Sequence, residues 1–422
     1  MTQVTSLTQQ VERRNYWLGI VNGALIRLFA ALTDTSLVLP WFVSQLGGPA
    51  PVVGLLVPIA NGGWFLPQLM MARLLRRQRD SAAFYRMVSA VRVLIWALLC
   101  VLVFALGPRH PQGLLAAFML LYALFSLGAG ISGLCFMDIT AKVIAPGQRG
   151  SYFAFREFIG GMLALGGSAL ARYVLDARHG LQFPYNFGWL LILGGLAATG
   201  GFVSFGSIVE PDEEQSPQQP TDGASWRSVA NVLQRDRSYV MLVLARMLSL
   251  VGISATPFYS IFAKDVLRAP VEMAGTYLAA MTVSGVGSTL VWGRLSRRLG
   301  SRAVVLCTML LSGAMPLVPL LLGSRLSQAT YTSVFVLAGA AVIGSDIGFV
   351  SLLLDMAPRG ERHLYVGLIN TALGVVSLAL IAEGWIVERW GLSALFAVSA
   401  VCSLSALLAV SNVRDPLSSQ GA

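Results

Sequence analysis

Arg27 and Asp34 stand seven residues apart in the stretch IVNGALIRLFAALTDTSLVLPWFV, whose neighbours are nearly all apolar. An ionisable side chain in such a run is costly unless it faces water or a partner, so it marks a place where charge is used. Arg27 offers a planar fork of donors that matches a carboxylate or a phosphate. On a helix it lies about 16 Å into the run, near the midplane of a bilayer core about 30 Å thick. Asp34 follows about 10 Å along the same helical face, so the pair is expected to line one cavity wall. Asp346, in GSDIG, is the other deep carboxylate. A carboxylate in a dry site can alternate between protonated and ionised forms during a transport cycle. Asp34 and Asp346 are therefore the candidate coupling residues, and a lasting pair with an arginine, such as Asp346 with Arg246, is the structural alternative.

Asn61, Trp64, Tyr259 and Asn370 have the depth and chemistry to line a solute site with Arg27, as do Asn22 and Trp292, although such side chains also pack or bond between helices. Arg92, Arg156 and Glu157 fall nearer the cytoplasmic ends of their runs, where long side chains reach the interface, and are read as structural pairs. Glu383 and Glu388 are read as solvent-facing. Nothing points to an enzyme. His110, His179 and His363 sit in loops or at an edge, and no zinc-protease or phosphate-loop motif occurs. Cys100, Cys135, Cys307 and Cys402 lie in apolar segments without metal-ligand spacing, so no cofactor is expected.

The elements that must hold these residues are set by composition. Of 422 residues 55% are hydrophobic and 12% charged, with mean hydropathy +0.70. A soluble domain averages about 25% charged residues, so this chain cannot cover a water-facing surface. The net charge of +10 is read as topology control, not as nucleic-acid binding, because the charges gather in short loops. The opening segment VERRNYWLGIVNGALIRLFAAL is an uncleaved first helix, since Arg27 interrupts any signal-like core.

Apolar windows predict about twelve spans, near 16–43, 51–72, 85–107, 112–136, 152–175, 187–209, 239–262, 273–293, 302–323, 330–354, 363–386 and 391–411. With the N-terminus inside, 19 Lys and Arg fall in cytoplasmic loops and 7 in outer ones, which puts both termini in the cytoplasm. EPDEEQSPQQPTDGAS is a flexible linker, and WRSVANVLQRDR after it suits a short helix on the membrane surface. The expected organisation is a six-helix bundle over 1–209, a cytoplasmic linker over 210–238 and a second six-helix bundle over 239–422.

The halves repeat. GLLVPIANGGWFLPQLMMARLLRR lies without gaps over GTYLAAMTVSGVGSTLVWGRLSRR, matching Arg73 with Arg294 and Arg76, Arg77 with Arg297, Arg298. A nearby offset pairs Pro40 with Pro257 and Asp138 with Asp355. Two parallel repeats of this kind build one large class of transporters. Asp138 and Asp355 each close a span beside a basic turn, so Arg73, Arg76, Asp138, Arg294, Arg297 and Asp355 are the candidate inner gate, with helix-end anchoring as the alternative.

GRLSRRLGSR, residues 293–302, resembles the major facilitator signature G-x-L-(a)-D-R-x-G-R-R, with Gly293, Leu295, Arg298, Gly300 and Arg302 on pattern. Arg297 stands where that family has aspartate, and Ala72 and Arg79 replace glycines in the N-terminal copy. The run NGALIRLFAALTDTSLVLPWFV with NGGWFLPQL is similar to a poorly characterised set of bacterial permeases of that superfamily. The drug-exporter signatures are missing. The resemblance implies a monomeric carrier in a bacterial inner membrane, moving a small solute by alternating access with protons as the coupling ion. A membrane scaffold or lipid-handling protein on the same fold is the alternative.

Overall fold

The computed structural model describes residues 2–75, 81–107, 109–144, 149–210, 232–357 and 362–414, and the regular elements among them are all helical. Arg76, the residues 211–231 that hold most of the linker and the surface-helix segment, and the tail after 414 lie outside the described residues. The helices run, in chain order, α1 Thr2–Leu32, α2 Val38–Gln45, α3 Ala50–Gly54, α4 Leu56–Leu75, α5 Ser81–Leu106, α6 Pro111–Val143, α7 Arg149–Leu175, α8 Tyr185–Gly206, α9 Arg237–Ser254, α10 Thr256–Asp265, α11 Met273–Leu322, α12 Gln328–Met356, α13 Arg362–Ala379 and α14 Ala382–Ser411.

Among the described residues nine helical stretches are long and apolar enough to cross a bilayer, and shorter apolar helices cover Ala50–Trp64 and Tyr365–Ala379. In hydrocarbon the backbone must satisfy its own polar groups, which is why so apolar a chain becomes helix throughout. The protein is an all-α, multi-pass membrane protein. The longest apolar stretch, Met273–Arg325, contains the two spans read at 273–293 and 302–323. They are two helices meeting at Gly300, whose φ of 84° and ψ of 168° are non-helical, open to glycine but strained for any residue with a Cβ, and Gly391 with φ of 81° divides Ala382–Ser411 in the same way.

The chain divides into two compact units, residues 1–48, 58–214 and 271–276 in the first, and 49–57, 215–270 and 277–422 in the second. In the first, α1 packs along α7 and α8, and α5 along α6 and α8. Its aromatic core sets Phe29 against Trp96 and Phe125, and Phe42 against Phe118 and Phe187. In the second, α9 packs along α14 and also meets α12 and α13. Tyr239, Leu242, Val305, Phe349, Leu352, Ala406 and Val410 fill the space between them.

The matched prolines explain matching breaks. α1 ends at Leu32 and the chain resumes helix at Val38, two residues before Pro40. α9 ends at Ser254 and α10 starts at Thr256, with Pro257 in its first turn. Proline has no N–H to continue the preceding ladder and is best accommodated near a helix start, which suits the interruption of the first span of each half at this point.

Candidate functional site

Each unit holds a polar cluster among its spanning helices. In the first unit Arg27 on α1 pairs with Glu157 on α7. Glu157 is shared with Arg156, whose Nη1 lies 3.6 Å from Oε1. Arg156 Nη2 donates to Asn22 Oδ1 at 3.1 Å, Asn22 Nδ2 donates to the Gly201 carbonyl at 2.9 Å, and the Arg156 guanidinium rests 4.9 Å from the Phe136 ring centroid. The close approach of α1 and α7 depends on glycine. A Cβ on Gly23 would fall 2.1 Å from Arg156 Cγ, and one on Gly160 would fall 2.6 Å from Arg27 Cγ. The side chains of Arg27 and Glu157 are 48% and 46% exposed. A charge on a spanning helix turned toward hydrocarbon would carry the full cost of an ion in an apolar medium.

Deeper in the same unit, Arg92 on α5 is buried and its guanidinium is held between the rings of Phe125 and Phe202, 4.3 and 4.5 Å from their centroids. Its Nη1 donates to Ser132 Oγ at 3.0 Å, and its Nε has no hydrogen-bond partner. The expected interfacial position of Arg92 is therefore corrected. α5 begins at Ser81, four residues before the predicted span, which carries Arg92 into the bundle. Asp34 is corrected too. The helix stops before it, so helical spacing no longer relates it to Arg27, and its Oδ1 accepts from the N–H groups of Ser36 at 2.9 Å and Leu37 at 2.8 Å.

In the second unit Arg246 on α9 donates to Asp346 Oδ1 and to Ser345 Oγ, each at 2.7 Å, and rests 4.9 Å from the Phe349 ring centroid. Asp346 is exposed on one side and anchored on the other, the side chains of Arg246 and Asp346 being 20% and 62% exposed. Tyr259, expected on the site wall, is fully buried with its ring stacked on Phe396, and its carbonyl accepts from the Tyr331 hydroxyl at 2.9 Å. It is a core residue, because the proline-led α10 turns it inward. Glu383, expected in solvent, is buried and accepts a hydrogen bond from Ser254. Trp64 and Asn370 are exposed and Asn61 is half-buried.

The residues read as an inner gate divide. Asp138 accepts from Ser81 Oγ at 2.6 Å and pairs with Lys142 at 2.7 Å. Asp355 accepts from Ser301 Oγ, again at 2.6 Å. Each serine stands at the start of a helical arm, Ser81 opening α5 and Ser301 following the Gly300 bend. The described partners of both aspartates are thus serines and a lysine in place of the expected arginines. Arg294 donates to the Leu290 carbonyl of its own helix, and Arg297 is exposed. The Arg73 side chain and all of Arg76 fall outside what is described. Lys142 also reaches Glu210 at 3.0 Å, and Glu210 accepts from Ala82 N. Burial works against the charged amine of Lys142, but hydrogen bonds to Asp138 and Glu210 outweigh it and raise its pKa above the ordinary lysine value.

The family model described as Major Facilitator Superfamily matches residues 20–381 and 290–420. The chain belongs to this superfamily. A bacterial homologue of the iron transporter ferroportin superposes with a TM-score of 0.66 at 17% identity, covering 95% of this chain and 98% of that one. A nucleoside transporter gives 0.72 at 12% identity, with 96% and 99% covered, and a D-xylose-proton symporter gives 0.65 at 13%, with 98% of both chains covered. At these identities the likeness is one of fold. An uncharacterised protein of Mycobacterium tuberculosis and its counterpart in Mycobacterium bovis are 23% identical over 324 residues, 73% of this chain. The chain spans only 60% of the length of these curated relatives.

Within this major facilitator fold, a cavity of about 820 Å³ lies between α5 and α8 of the first unit, lined by Trp96, Cys100, Phe104, Phe125, Leu196 and Phe202. Its walls are apolar and belong to spanning helices, so hydrocarbon is its natural filling and a polar solute is not. The residue that sequence reasoning missed is Glu157 as the partner of Arg27. The glycines opposite both side chains, Gly23 and Gly160, were the available signal.

Proposed function

We propose that this protein is a secondary transporter that moves a small solute through the bilayer by alternating access of its two six-span halves. The observation that carries the reading is the half-exposed Arg27–Glu157 pair inside spanning helices of a major facilitator fold. A recognition site must be reachable by its solute, and this pair is half-exposed on helices long and apolar enough to span. Arg27, with Asn61, Trp64 and Asn370, forms the solute wall in this reading. Asp346 is the coupling carboxylate, open to water on one side and held by Arg246 on the other. Asp34, whose Oδ1 holds the break after α1, stays the second proposed coupling carboxylate.

Protons are the proposed driving ion, and the proposed setting is a bacterial inner membrane with both termini and the linker 210–238 in the cytoplasm. The Ser81–Asp138 and Ser301–Asp355 bonds are proposed to brace the cytoplasmic ends of the halves, whose ion pairs close the inner gate. Purified protein in proteoliposomes, given an imposed pH gradient and a panel of radiolabelled solutes, tests the proposal. Accumulation that collapses with a protonophore is the expected result. A lack of uptake, efflux or exchange for every solute class would overturn it.

A further inference from the structure

The charges inside the first unit do not balance. Arg27 and Arg156 meet a single carboxylate, Glu157, among the described residues, and Arg92, held between Phe125 and Phe202 elsewhere in the unit, is given none. The unit's other deep carboxylate, Asp34, is turned onto the backbone N–H groups of Ser36 and Leu37. Asp138 and Glu210 lie at the helix ends with Lys142. Two guanidinium groups therefore share Glu157, one at contact and one at 3.6 Å, and the Nε of Arg156 and of Arg92 are buried without acceptors. Two arginines that share one half-exposed carboxylate, one of them with a buried spare donor, suit an acceptor-rich anion. The half-exposed side chains of Arg27 and Glu157 leave such a group a way to reach them.

We propose that the solute carries a carboxylate or phosphate group, and that Glu157 occupies the Arg27–Arg156 pair as a tethered stand-in which the solute's anionic group displaces. This rests on the transport reading above and names its substrate class. The geometry fits exchange of one anion for another. Arg27 presents its planar fork at the open side, and Arg156 stays anchored on Asn22 while its contact to Glu157 is already long. When Glu157 is displaced, the arginines keep a counter-charge throughout, so neither is left bare in the membrane interior.

The stand-in makes an unusual demand: removing a charged residue from the site should tighten binding. In proteoliposomes and by ligand-induced thermal stabilisation, lactate, citrate and glycerol 3-phosphate are compared with glucose, uridine and choline. At least one anion should bind and exchange. Glu157→Gln should tighten that anion's binding by about two- to fivefold, the worth of the half-exposed competing pair, and should abolish any binding of choline. Arg27→Gln should lose the anion. The double variant Arg27→Gln with Glu157→Gln, which leaves neither charge unmatched at this pair, should fold and still fail to bind it. Exchange of a neutral or cationic solute with no anion bound would leave transport standing and overturn the substrate class. Anion binding weakened by Glu157→Gln would overturn the stand-in role. Failure of all six solutes to bind or exchange would overturn the anion assignment, and the same failure across the wider panel would take the transport reading with it.

Discussion

Replacing Gly23 by alanine adds one methyl group where the first unit has no room for it. An ideal Cβ at this position would lie 2.1 Å from Arg156 Cγ, 2.3 Å from Nε and 2.7 Å from Cδ. These atoms are the middle of the side chain, so a small adjustment of its tip cannot clear the clash and the whole guanidinium must swing away. Three contacts then go: the 3.1 Å bond to Asn22, the rest against the Phe136 ring and the 3.6 Å approach to Glu157. A hydrogen bond to a charged group contributes about 1.5–3 kcal/mol and a cation–π contact about 0.5–2 kcal/mol. Water at the open side restores part of this, which leaves a destabilisation of about 2–4 kcal/mol. Chemical unfolding of the purified protein in mixed micelles measures it. Since the cost runs through Arg156, Gly23→Ala combined with Arg156→Ala should be less costly than the sum of the two by about 1–3 kcal/mol. Additive effects, or wild-type stability in Gly23→Ala, would show that α1 and α7 do not meet through Arg156.

Arg27→Lys keeps the charge but loses the planar fork, so folding should be normal and solute binding weaker by about tenfold, or about 1.4 kcal/mol, in a thermal-stabilisation titration. Asp346→Asn should retain solute exchange in proteoliposomes while losing proton-driven accumulation; if the half-exposed pair with Arg246 is purely structural, the same variant instead keeps coupled transport and loses about 1 kcal/mol of stability. Reporter fusions at Ser81 and Gln218 should both read as cytoplasmic, and Gln218 outside with Ser81 inside would refute the topology. Lys142 has a raised folded-state pKa, so its contribution is fully present below the ordinary value of 10.5 and is lost only as pH rises through the higher folded value. Lys142→Gln should accordingly lower stability by the same amount at pH 6 and pH 9, and a difference that disappears by pH 9 would contradict the Asp138 and Glu210 contacts.

Hydropathy made the spans legible because a bilayer leaves a chain little choice but helix, and the paired prolines marked where each half breaks its first span. Gly300 was visible as a signature glycine, and its φ of 84° gives the physical reason for it. The positions that misled were those where a helix stops. Asp34 was placed by helical spacing that ends at Leu32, although TDTS, residues 33–36, is a run of side chains that compete for backbone N–H groups and so announce a break. Glu383 was misplaced for the same reason, since the chain leaves helix between Ala379 and Ala382 and turns the carboxylate inward onto Ser254. Partner choice was not legible. That Arg27 meets Glu157, 130 residues away, follows from how α1 lies on α7, and only the two glycines hinted at it.

What the two halves share and what they do not divides along a physical line. The shared residues are the ones that shape helices: Pro40 and Pro257 at the breaks, and Ser81 with Asp138 and Ser301 with Asp355, both at 2.6 Å, where a helical start is tied to a helical end. These set backbone paths, and a duplicated chain needs the same paths twice. The partners of the interior charges follow no such repetition: Arg27 and Arg246 both stand shortly before the matched prolines, but they pair with Glu157 and Asp346 on non-equivalent helices. The first unit sets two arginines on one glutamate, while the second matches one arginine with Asp346 and keeps Glu383 on a serine. A residue that only braced the fold would have a counterpart wherever the fold repeats, because the mechanical requirement repeats with it. Charges that break the repeat answer to something the repeat does not contain. A bound solute is such a thing, because its two ends differ, and a proton that must be handled on one side only is another. On this argument recognition and coupling are proposed for Arg27, Glu157, Arg246 and Asp346, and a framing role for the serine–aspartate bonds.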